Sequence, residues 1–127
     1  MKKITLILIC TFLTFAINAQ SFIGAWETTT TSKDGEQIKN VVIFSEGYQV
    51  LTAFNAKTGK FIMTNGGSWK LEGDTVTEKV EFDTNNPERV GTEVSFKVYN
   101  KDSIMGIVGD KAIWRRIDKG NPGKLQG

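Results

Sequence analysis

Between Phe22 and Asp118 apolar residues recur in short alternating runs, and no stretch keeps the three-to-four-residue period of a helix. The runs are rich in Val, Ile, Thr, Phe and Trp, and turn residues interrupt them every 8 to 12 positions or so, the pattern of a β-sandwich or β-barrel. Turn signals fall at Lys33-Asp34-Gly35, Ser45-Glu46-Gly47, Lys57-Thr58-Gly59, Glu72-Gly73-Asp74, Asn100-Lys101-Asp102 and Gly109-Asp110-Lys111. They divide the chain into expected strands at 24–31, 37–45, 48–54, 61–65, 67–72, 75–83, 92–99, 103–108 and 112–118. With no helix to cover a face, an all-β antiparallel chain of this kind must close on itself or pack as two sheets.

Alternation separates the two faces of each strand. Ile38, Val42 and Phe44 share one face, as do Tyr48, Val50 and Phe54, and Val94, Phe96 and Val98. In the 75–83 run Thr75, Thr77, Lys79 and Glu81 take the outer face, leaving Val76, Glu78, Val80 and Phe82 inside. Glu78 is therefore expected among apolar neighbours, which is costly without a partner or a ligand. A cation across the interior would make it half of a scaffold ion pair; a ligand or a reacting group would make it functional. Trp114 shares a face with Arg116 rather than Arg115, and the pattern leaves open which face is internal.

The first residues follow different rules. Lys2 and Lys3 precede an apolar run from Ile4 to Ala16, and Ala19 supplies a small residue for cleavage before Gln20. This is the pattern of an export signal over 1–19, too short for a comfortable membrane span. Cys10 lies inside it after Ile9, where a lipidation signal would need a small residue. A single domain is expected over 20–118, and a disordered tail over 119–127, where Gly and Pro are frequent and apolar residues few. The expected location is periplasmic or secreted.

Composition narrows the chemistry. The chain has no histidine and one cysteine, which sits in the leader, so the mature domain is left without a His base, a thiol nucleophile, a disulfide or a His/Cys metal site. Once Lys2 and Lys3 are removed, basic and acidic residues balance at 14 each. Nucleic acid and anionic membrane surfaces are thereby disfavoured as partners, and no membrane insertion is expected after cleavage. Glu72, Asp74 and Asp83 lack calcium-loop spacing, and Gly66-Gly67 precedes no helix, so it reads as a bulge or strand corner and not a phosphate loop. No metal or cofactor is expected.

Gly24-Ala25-Trp26 at the start of the first strand and Trp114-Arg115-Arg116 in the last resemble the calycins, the lipocalins and fatty-acid-binding proteins. The resemblance implies an up-and-down barrel of eight or nine strands, with the tryptophan closing the floor and an arginine packed across it. Gly66-Gly67-Ser68-Trp69, Leu71-Glu72-Gly73-Asp74, Glu78 and the Gly91-led strand are similar to small secreted lipocalin-like proteins of Bacteroidetes, with Val76 where that family often has tyrosine. The expected function is binding of a small, mostly apolar or amphipathic ligand by Phe44, Tyr48, Phe54, Trp69, Glu78, Phe82, Phe96 and Arg116. Two alternatives stand beside it: an isomerase or lyase using Glu78 as acid or base, and a filled barrel acting as a structural or interaction module. An internal void open to solvent favours the binder, and a carboxyl with a strongly raised pKa beside that void favours the enzyme.

Overall fold

The computed structural model describes residues 19–118; the expected export signal over 1–19, except for Ala19, and the expected tail over 119–127 lie outside the described residues. A four-residue 3₁₀ turn, Ala19–Phe22, leads into β1 (Gly24–Thr31), β2 (Gln37–Ser45), β3 (Tyr48–Asn55), β4 (Phe61–Glu72), β5 (Thr75–Lys79), β6 (Phe82–Asp83), β7 (Glu93–Lys101), β8 (Ile104–Ile107) and β9 (Trp114–Arg116). A second 3₁₀ turn, Pro87–Arg89, stands between β6 and β7. Each expected strand region carries a strand, but the expected 75–83 strand is broken into β5 and the two-residue β6. The expected 61–65 and 67–72 strands are one continuous β4, because the Gly66-Gly67 pair is accommodated within the ladder rather than ending it.

Each strand pairs antiparallel with its neighbours, and the order β3-β2-β1-β9-β8-β7-β5-β4 closes through a β3–β4 pairing. The result is an eight-stranded antiparallel barrel with β6 as an additional strand beside β4, compatible with the calycin-like architecture. Closure leaves the barrel wall without free edges.

The floor is built at the strand ends nearest the N-terminus. Phe22 and Trp26 are almost wholly excluded from solvent, and the Trp26 indole N–H donates to the Phe22 carbonyl at 2.9 Å. Arg116 lies over the Trp26 ring, its guanidinium carbon 4.2 Å from the centroid. It also donates to the carbonyls of Ser21 at 2.8 Å and Ile23 at 3.0 Å, and to the Asp118 carboxylate at 3.2 Å. Gly24 has φ +132°, and a β-carbon there would strike Arg116 and the Asp118 carboxylate. That close approach is the physical reason for glycine two residues before the tryptophan. Phe44 and Trp69 extend the core upward in an edge-to-face pair with centroids 4.9 Å apart.

The β5–β6 segment departs from simple alternation. Trp69 pairs with Glu78, but Asn65 pairs with Asp83, so one extra residue is taken up at Val80–Glu81, a β-bulge. The Glu81 N–H donates to the Gly66 carbonyl at 2.8 Å, while the Val80 N–H donates to the Thr92 carbonyl at 2.9 Å and the Val80 carbonyl accepts from the Gly91 N–H at 2.8 Å. A bulge of one residue exchanges the faces that follow it. Val76, Glu78 and Val80 point inward as expected, but beyond the bulge Asp83 is the buried residue and Phe82 turns outward against Gly66.

Candidate functional site

Above the floor the barrel holds a cavity of about 330 Å³, open to solvent, whose walls are mostly apolar. Phe22 and Phe44 form its lower part, Val98, Met105 and Trp114 one side, and Val80, Val94 and Arg89 its upper part. The opening lies at the end carrying the β1–β2, β3–β4, β6–β7 and β8–β9 connections, opposite the Trp26–Arg116 floor. Its volume sits at the low end of the range for small-molecule sites.

Glu78 faces this space from β5. Among the described residues it has no hydrogen-bond partner and no cation within 4.0 Å, so the scaffold ion pair is not formed. Burial raises its carboxyl from the ordinary 4.5 to about 7, and the positive charge of Arg89 pulls the other way less strongly. Arg89, on the 3₁₀ turn at the mouth, approaches Asp83 with 3.8 Å between Nη1 and Oδ2. Asp83 Oδ1 accepts from the backbone N–H groups of Asn85 and Asn86 at 2.9 and 2.8 Å, whereas Oδ2 is buried without a hydrogen bond. Asp83 thus ties the β6–β7 connection and holds Arg89 beside the opening.

Of the eight residues expected to bind ligand, the cavity brings together Phe44, Glu78 and Phe96. The other five are placed elsewhere, each for a stated reason. Tyr48 and Phe54 lie on the outer face of β3; Tyr48 donates to Glu81 at 3.3 Å, and the inner face carries Gln49, Leu51 and Ala53. Trp69 is core, its indole N–H donating to the Ser45 carbonyl at 2.8 Å behind Phe44. Phe82 is turned out by the bulge. Arg116 is fully engaged in the floor.

Sequence reasoning left out Gln49, Asn65 and Arg89 as wall residues. A signal for Gln49 existed. The two-residue Glu46-Gly47 turn fixes the hairpin so that Gln49 pairs with Phe44, already read as internal. Arg89 had no comparable signal, since it sits in the longest connection.

No group of three or more potential metal-ligating His, Cys, Asp or Glu occurs among the described residues, and no helix there is long and apolar enough to cross a membrane. No family model matches the chain, and no curated protein matches it significantly.

Proposed function

We propose that this protein binds a small, mostly apolar ligand inside the barrel. The observation that supports the reading is an apolar cavity of about 330 Å³ facing a carboxyl that has no hydrogen bond or close ion pair among the described residues and only the more distant charge of Arg89 to offset its burial. A filled structural barrel gains nothing from either feature: the void forfeits packing contacts and the lone carboxyl costs desolvation. Binding would bury the ligand's hydrocarbon against the walls while Glu78 orients its polar part. Native mass spectrometry tests this directly. Protein purified from its own cells should carry added mass, or take up 1-anilinonaphthalene-8-sulfonate, and Val98→Phe should abolish uptake by filling the space. A parent protein that takes up nothing supports the structural module instead.

A second reading, favoured by the raised carboxyl, makes Glu78 a general acid or base in an isomerase or lyase, since a group titrating near 7 can both give and take a proton. It requires that the parent return a bound compound chemically altered and that Glu78→Gln return it unchanged. We propose further that the protein is exported, on the strength of the Lys2-Lys3 pair, the apolar run to Ala16 and the small residue Ala19, as the lipocalin-like proteins it resembles are. N-terminal sequencing of the mature protein should begin at Gln20, blocked if the glutamine has cyclised; retention of Met1 overturns the export proposal.

A further inference from the structure

The cavity has two unlike sides. Its β7, β8 and β9 side presents Phe96, Val98, Met105, Ile107 and Trp114, all apolar in contact. Its β3–β4–β5 side presents three polar side chains, Gln49, Asn65 and Glu78, set among Leu51, Gly66 and Val76. Among the described residues none of these three side chains has a hydrogen-bond partner. Gln49 is only 4% exposed, and the accessible surface its amide keeps faces the cavity, since Asp83 Oδ2 is the one buried side-chain polar atom without a partner among the described residues. The register spreads the three along a diagonal, with Asn65 and Glu78 four residues apart along neighbouring strands, about 13 Å, and Gln49 at the level between them. Gln49 stands opposite Gly67, Asn65 lies two residues along β4 on one side of that level, and Glu78 opposite Trp69 lies two residues along on the other. The polar groups therefore form a diagonal stripe across three adjacent strands, in which Gln49 and Asn65 are diagonal neighbours about 7–8 Å apart and Glu78 lies farther along.

Such a stripe does not suit a long chain with one charged end, which needs a single polar anchor. Nor does the site offer a free cation for an anion, because the Arg89 charge is already faced by Asp83 at 3.8 Å and by Glu78. A cationic ligand is disfavoured as well, because Arg89 offsets Asp83 and burial holds the Glu78 proton up to about 7. What fits is an uncharged molecule, polar along one edge and hydrocarbon on the other, small enough for the space, with ring faces for Phe44, Phe96 and Trp114.

We infer that the ligand is a compact, neutral ring compound with a donor–acceptor edge of the amide or lactam kind, read by Gln49 and Asn65. This inference rests on the cavity being a binding site. The edge would give and accept hydrogen bonds simultaneously, since each amide side chain offers both an N–H and a carbonyl oxygen.

Three probes separate the possibilities by equilibrium dialysis: 2-quinolone, naphthalene and decanoate. The first two share a bicyclic shape, and only 2-quinolone has the edge. It should bind at least roughly tenfold more tightly than naphthalene, the worth of one or two net hydrogen bonds. The Gln49→Leu/Asn65→Leu double variant should bring that ratio close to one while naphthalene binding persists. Naphthalene or decanoate binding as tightly as 2-quinolone overturns the polar-edge inference and leaves the binding reading standing. No binding by any probe overturns both. The ratio in the parent protein decides by itself, so the outcome does not depend on the variant folding.

Discussion

At the scale of single residues, Glu78 and Trp26 make opposite contributions. The Glu78 carboxyl titrates at about 7 in the barrel against an ordinary 4.5, so the folded state holds its proton more tightly than the unfolded chain. Below about 4.5 both states are protonated and the residue costs nothing through ionisation. As pH rises toward 7 the unfolded chain loses its proton first, and stability falls by up to about 3 kcal/mol once both are ionised. Urea midpoints of the parent should decline across that window, while Glu78→Gln should show no such slope from this position and exceed the parent at pH 8. Identical pH profiles would show that Glu78 is solvated. Trp26 is fully buried under Arg116, and Trp26→Ala should cost about 3–5 kcal/mol, read as a much lower urea midpoint. Both residues were legible because each lies in an uninterrupted stretch of alternation or in a short local motif. Asp83 was not, because its inward turn depends on a residue inserted three positions earlier.

At the scale of elements, the bulge and the crowding beside it decide which faces line the cavity. A β-carbon at Gly67 would run into the Lys79 carbonyl, so β4 passes β5 there with only a glycine's thickness between them. Gly67→Ala should destabilise the barrel by about 1–3 kcal/mol, measured by urea unfolding, since the obstacle is backbone and cannot swing away. An unchanged midpoint would mean that the β5–β6 segment shifts freely. Strand positions were legible because turn residues mark their ends and β-branched residues fill their interiors. Faces were less so. On β3 the bulky Tyr48 and Phe54 drew the inward assignment, whereas the tight Glu46-Gly47 turn sets Gln49 against Phe44 and turns the aromatics out. On β5–β6 strict alternation ran through Val80–Glu81 as though no residue were added, which carried Phe82 to the wrong side.

At the scale of the whole molecule, antiparallel closure followed from the absence of any helix to shield a sheet, while the cavity was invisible to pattern alone. A void depends on summed side-chain volumes around eight strands, and Gly66 and Gly106 on its wall contribute none. Closure also has a consequence in time. Trp26 pairs with Arg116, and Arg116 reaches back to carbonyls at Ser21 and Ile23, contacts spanning more than 90 residues of chain. Hairpins from β1 to β4 close over short loops and can form early, but the seam between β1 and β9 waits for the last strand. A nascent chain emerging from its N-terminus is therefore an open, edge-exposed sheet until Trp114–Arg116 arrives. Chains stopped after Ala112 should stay protease-sensitive and aggregate, and resistance should appear in one step when residues to Asp118 are present; gradual gain with length would show that the seam is dispensable. The residue that seals the floor is thus also the one that times the fold, keeping the chain loose for as long as its own end is still to come.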